Sequence, residues 1–105
     1  MKAVWKFELN HYENTVTPMP KGAKVLTVAY QHNALCLWAE VSADAPKEQR
    51  LFSICGTGDP IPDGAQYIGT VQDAGGSLIW HVYEITPRQD AVVRVIGLHS
   101  GELPR

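Results

Sequence analysis

The stretch KVLTVAYQHNALCLWAEV, residues 24–41, decides the fold. Val25, Thr27 and Ala29 alternate with Leu26, Val28 and Tyr30, and a period of two belongs to a β-strand rather than a helix. The run from residue 23 to 31 then meets His32-Asn33. Asn tolerates positive φ, so this dipeptide between two β-rich runs predicts a tight hairpin turn. Beyond it, Leu35, Leu37, Ala39 and Val41 share one face, and Cys36, Trp38 and Glu40 share the other.

The same reading extends in both directions. Upstream, Ala3, Trp5, Phe7 and Leu9 point one way while Lys2, Lys6 and Glu8 point the other, with Val4 the exception. His11 to Asn14 is a polar connection. Thr15 to Met19 is a short extended piece in which Pro18 and Pro20 flank Met19, which places it at a sheet edge or outside the sheet. Lys21-Gly22 is a turn. Downstream, Ala43 to Gln49 contains Pro46 and reads as a solvated loop. Arg50 to Cys55 is strand-like. Tyr67 to Gln72 and Leu78 to Ile85 form a second hairpin around Asp73-Ala74-Gly75-Gly76. Residues 91 to 98 are apolar on both faces apart from Arg94, so this segment is covered on both sides or donated to a partner. On that ground Val92-Val93-Arg94-Val95-Ile96 predicts self-association as a symmetric dimer.

No stretch holds a helical period for three turns. The expectation is an all-β fold, a small single-domain sandwich or barrel of six to seven mostly antiparallel strands. Residues 1–85 form the β domain, and 86–105 add a C-terminal strand and tail.

Bulk properties exclude several function classes. The chain has 105 residues, 45% of them hydrophobic, enough for one core. Nine Lys/Arg stand against eleven Asp/Glu, and no basic cluster exists, which disfavours nucleic acid as a partner. No apolar run approaches the ~20 residues of a membrane helix, and no leader pattern precedes the first strand. Cys36 and Cys55 each sit inside an apolar run and read as buried, reduced thiols, with no CxxC to support a redox or zinc site. The expectation is a cytoplasmic protein without a membrane partner.

Several blocks carry a likeness to a known family. Lys2-Ala3-Val4-Trp5-Lys6-Phe7-Glu8-Leu9, Met19-Pro20-Lys21-Gly22-Ala23-Lys24-Val25-Leu26-Thr27-Val28 and Cys36-Leu37-Trp38-Ala39 form its first half. Gly56-Thr57-Gly58 with Pro60 and Pro62, Tyr67-Ile68-Gly69-Thr70, and Trp80-His81-Val82-Tyr83-Glu84 complete it. Over residues 2 to 84 the chain resembles a family of small uncharacterised domains encoded largely by bacteriophages and prophages. The resemblance implies a phage-type accessory protein and assigns no activity.

The candidate site residues follow from loop chemistry and alternation. Gly56-Thr57-Gly58-Asp59-Pro60-Ile61-Pro62-Asp63-Gly64 is the longest irregular stretch within the domain. Successive backbone N–H groups in a Gly-Thr-Gly turn can cup an anion, with the Thr57 hydroxyl beside them. No helix and no Lys follow, so a nucleotide-enzyme phosphate loop is absent, and the plain alternative is a loop whose glycines permit tight turns. Asp59 and Ile61 add a mixed polar and apolar set, placed on the surface beside the end of the sheet. His81 occupies a strand, where it either satisfies one hydrogen bond or meets a partner. Trp38 shares a face with Glu40 rather than the leucines and is the tryptophan expected to reach a surface. No two of His11, His32, His81 and His99 stand at metal-ligand spacing, and no serine has a GxSxG context.

These readings predict a non-enzymatic protein with no cofactor and no metal. Its function is that of a protein–protein interaction module, which the resemblance directs at a host or phage protein. The alternative is a binding protein for a small anionic ligand, and the resemblance points there to a nucleotide-derived host defence signal.

Overall fold

A computed structural model describes residues 1–10, 14–73 and 75–85. The described chain is seven strands: β1 (Lys2–Glu8), β2 (Thr15–Pro20), β3 (Lys24–Gln31), β4 (Ala34–Ser42), β5 (Lys47–Gly56), β6 (Ala65–Gln72) and β7 (Ile79–Ile85). They form two sheets, ordered β1-β4-β3 and β2-β5-β7-β6, and every neighbouring pair is antiparallel. The sheets do not close into a barrel, which settles the sandwich-or-barrel alternative. Val92–Ile96 and the predicted C-terminal strand and tail lie outside the described residues.

The three-stranded sheet follows the alternation. Leu35, Leu37, Ala39 and Val41 of β4 are buried, and register sets Ala3, Trp5 and Phe7 of β1 beside Val41, Ala39 and Leu37. His32 and Asn33 both have positive φ, 50° and 68°, the backbone of a type I′ hairpin turn. The expected faces of β3 need one correction. A bulge between Val25 and Thr27 leaves Leu26 as an extra residue. Val25 therefore lies across from Ala39, on the same inner face as Val28 and Tyr30, and Leu26 is exposed.

The four-stranded sheet faces it with Met19, Phe52, Ile54 and Val82, and these join Leu35, Leu37, Val41 and Val28 in one core. The approach is closest where β3 meets β6: a Cβ built on Gly69 would sit 2.8 Å from a methyl of Val28. The largest difference from the expected strand boundaries is in β5. β5 begins at Lys47, directly after Pro46, so the last three residues of the expected 43–49 loop are strand. β2 is an edge strand, as its prolines require, because Pro18 and Pro20 offer no N–H to a further neighbour.

One connection departs from hairpin logic. β5 and β6 both run antiparallel to β7 and so run parallel to each other. The chain must cross β7 to pass from one to the other. Gly56 lies opposite Trp80 and Ala65 opposite Ile85, so the connection travels five residues along β7, roughly 17 Å, and two strand spacings sideways, roughly 10 Å. Residues 57–64 are therefore a strap laid over the sheet.

Candidate functional site

The strap's path follows from its residues. At its start, Asp59 N donates to Gly56 O at 3.0 Å, with Gly58 at φ 97°. At its end, Ala65 N donates to Pro62 O at 3.2 Å, with Gly64 at φ 74°. Both are turns with glycine at the third position, where positive φ excludes most side chains. Pro60 and Pro62 hold the segment between them to extended φ. Asp59 also fixes the first turn through its side chain, since Gly56 N donates to its Oδ2 at 2.8 Å.

Register places Ser53, Cys55, Tyr67, Thr70, His81 and Tyr83 on the outer face of this sheet, away from the core. Ser53 and Cys55 are nevertheless buried, and Cys55 Sγ lies 3.7 Å from Pro60 O. The strap covers that part of the face. Beside it runs a chain of four side chains. Thr57 Oγ1 is 2.9 Å from His81 Nε2, His81 Nδ1 is 3.0 Å from Thr70 Oγ1, and Thr70 Oγ1 is 2.6 Å from the Tyr67 hydroxyl. A neutral imidazole donates from one nitrogen and accepts at the other, and each threonine hydroxyl takes either role, so both tautomers are satisfied. Tyr67 also meets Tyr83 edge-on, with ring centroids 5.6 Å apart.

The structure brings Gly56, Thr57, Gly58, Asp59 and His81 into one unit and keeps Ile61 exposed on the strap. The strap lies across the sheet face, rather than beside the sheet's end as expected. Trp38 belongs elsewhere. It lies on the outer face of the other sheet, between Lys6 and Thr27 in register, and is half-buried.

Thr70 and Tyr67 are not among the site residues that the sequence singles out, for a physical reason. Strict alternation would put residues 67 and 70 on opposite faces. A bulge between Tyr67 and Gly69 inserts Ile68 and returns both to the outer face. Also missed was the ion pair of Arg50 and Glu84 on the inner face. Arg50 Nη2 donates to Glu84 Oε1 at 2.9 Å, and Nε to Oε2. Arg50 Nη1 donates to Ala23 O at 2.9 Å, which ties β5 to the start of β3 across the two sheets. The bond to Glu84 outweighs partial burial and holds the Arg50 guanidinium further above its usual range. The pair lines an open cleft of about 360 Å³ with Lys24, Leu26, Gln66 and Ile68.

Chemically, a Thr–His contact brings a hydroxyl to a base, but a nucleophile needs its base held by a group that stabilises the imidazolium. Here the second ring nitrogen meets a neutral hydroxyl. The strap's own carboxylate, Asp59, is turned to a backbone amide. The arrangement positions donors and acceptors at a surface better than it activates one. Among the described residues no group of three or more His, Cys, Asp or Glu side chains can hold a metal, and no helix is long and apolar enough to cross a membrane.

With this geometry in place, comparison with known families gives one result: a family model, the domain of unknown function DUF7352, matches residues 1–92. The chain belongs to the DUF7352 family. No curated protein and no solved structure matches it. The match spans all seven strands of this DUF7352 domain, including the strap and the Thr57–His81–Thr70–Tyr67 chain.

Proposed function

We propose that this DUF7352 domain is a non-enzymatic protein–protein interaction module whose contact surface is the strapped outer face of the four-stranded sheet. The observation that carries this reading is the combination of exposed apolar bodies with pre-positioned polar groups. Tyr67, 56% exposed, ends the hydroxyl–imidazole chain, and Ile61, 55% exposed, stands on the same strap as Thr57, which begins it. Aromatic anchors ringed by fixed donors and acceptors suit a protein partner, and a face already held in place loses little entropy on docking. The likeness to phage-encoded domains supports a phage-type accessory protein acting on a host protein in the host cytoplasm.

Capture of a small anion, including a nucleotide-derived signal, finds less support. The Gly56 amide that would cup the anion is taken by Asp59, whose negative charge then sits in the turn.

Native mass spectrometry of protein purified from a bacterial lysate, wild type beside an Ile61→Asp/Tyr67→Asp variant with an unchanged circular dichroism spectrum, tests the proposal. A stoichiometric protein partner held by the wild type and absent from the variant is the expected result. A partner retained equally by both, or a bound phosphate compound in place of a partner, would overturn it.

A further inference from the structure

The charges of the molecule are segregated along the chain. Between Leu51 and Ile85 there is no Lys or Arg, while Asp59, Asp63, Asp73 and Glu84 all fall there. Glu84 is neutralised by Arg50. The three aspartates have no cationic partner among the ion pairs of the described residues. Residues 51–85 comprise most of β5, the strap, β6 and β7, so this stretch builds the strapped face. Asp59 and Asp63 lie exposed on the strap itself, and Asp73 lies at the β6–β7 turn at one end of that sheet. On the far side of the molecule, register puts Lys2, Lys6 and Lys24 on the outer face of the three-stranded sheet.

We infer that the partner segment which docks on the strapped face is basic, an Arg- or Lys-bearing stretch of protein. This rests on the interaction reading above and adds the chemistry of the partner. Two features of the face work together. Uncompensated carboxylates flank an unpartnered sheet face, and complementary charge sets encounter rate and register. The exposed Tyr67 ring adds a surface on which a guanidinium or ammonium group can rest. The carboxylates also have structural duties that do not consume their charge: Asp59 accepts from Gly56 N, and Asp73 accepts from Ser77 N at 2.9 Å. An asparagine oxygen can take over both bonds, so charge can be removed without dismantling either turn.

The test is an amide-resolved NMR titration of the full chain with two synthetic ten-residue peptides, one of alternating Arg and Gly, one of alternating Glu and Gly. The Arg peptide is expected to shift resonances in residues 57–73 and at His81, with affinity falling severalfold as salt is raised. An Asp59→Asn/Asp63→Asn/Asp73→Asn variant with native-like dispersion should bind it at least tenfold more weakly. Shifts confined to the Lys2–Lys6–Lys24 face, equal shifts with the Glu peptide, or unchanged binding by the Asn variant would overturn the inference. So would concentration-dependent self-association in sedimentation that the Asn variant loses, because a second copy's lysine face would then be the occupant. The lysate experiment separates the two levels. A partner lost by Ile61→Asp/Tyr67→Asp but kept by the Asn variant preserves the docking face and eliminates the basic segment.

Discussion

The two sheets bury one face each against a common core, yet their outer faces are treated differently. Among the described residues no connection is laid over that of the three-stranded sheet, which is crossed by exposed contacts such as Lys2–Glu40 at 3.3 Å and Lys6–Gln31 at 2.7 Å. That of the four-stranded sheet is partly roofed by the strap, which covers the buried Cys55. The difference arises from connectivity. β3 and β4 are joined by a two-residue hairpin that needs no crossing, whereas parallel β5 and β6 cannot be joined without one. The connection is thus a tight turn at the end of one sheet and a covering layer on the other. Only the covered face carries a side-chain chain linking strap to strands.

The largest expected effect tests what the sheets share. Arg50 and Glu84 are side chains only 16% and 14% exposed, and Arg50 reaches Ala23 at the edge of the opposite sheet. Replacing Glu84 by Ala leaves the guanidinium largely buried without its main partner. The expected loss is about 3 kcal/mol, the low end for breaking a buried pair because some solvent reaches this one. A urea midpoint that moves by less than the equivalent of about 1 kcal/mol would mean that the sheets do not depend on this clamp.

A smaller effect probes the closest approach between the sheets. Gly69→Ala places a methyl 2.8 Å from Val28 Cγ2, so Val28 must rotate or the sheets must separate. A loss of about 2 kcal/mol is expected in chemical denaturation. Gly75→Ala is the control, since its Cβ would meet only ordinary contacts, the nearest at 3.9 Å. Equal losses at the two positions would argue against a specific β3–β6 contact.

How much of this was legible beforehand depends on what each residue's position encodes. Leu35, Leu37, Ala39 and Val41 declare their face by alternation, and His32-Asn33 declares its turn by its φ preference, so the β3–β4 hairpin was readable. The bulges at Leu26 and Ile68 were not. One inserted residue reverses the phase of a strand without changing its composition, and the extra residues are ordinary β-formers. Thr57 and His81 were readable as candidates from loop chemistry and strand placement. Their contact was not, because it depends on strand order, and strand order rests on non-local pairing that alternation does not report. Arg50 was hidden for a related reason: an inward-pointing charge makes sense only once Glu84, on another strand, is beside it.

The cysteines turn the contrast between the outer faces into a measurement, one thiol lying on each. Cys36 pairs in register with Glu8 and Ala29 on the outer face of the three-stranded sheet, and burial pushes its thiol upward, with Lys6 opposing and Glu8 reinforcing. Cys55 lies under the strap. Both are free and buried. Asp59→Ala removes the bond to Gly56 N and should cost about 1 kcal/mol in the stability of the strap. If labelling occurs through local opening, Cys55 alkylation should then accelerate about fivefold while Cys36 does not change. Parallel acceleration of both thiols would show that they open only with the whole domain.

The smallest expected effect comes from Thr57→Val, which keeps the side chain's shape and removes its hydroxyl. Its bond to His81 is exposed, so water can replace the lost partner at Nε2, and the net cost should be about 0.5 kcal/mol. That should leave the unfolding midpoint nearly unmoved and speed Cys55 alkylation about twofold, less than Asp59→Ala because the turn itself stays capped. Thr57→Ser retains the hydroxyl and should label at the wild-type rate. The His81→Phe variant supplies the other end of the same bond, and combining it with Thr57→Val should add nothing further, since neighbours that share one interaction are not additive. If Thr57→Val and His81→Phe instead accelerate labelling independently, the strap is held by contacts other than this bond. The hydroxyl–imidazole chain would then serve the surface alone rather than anchoring its cover.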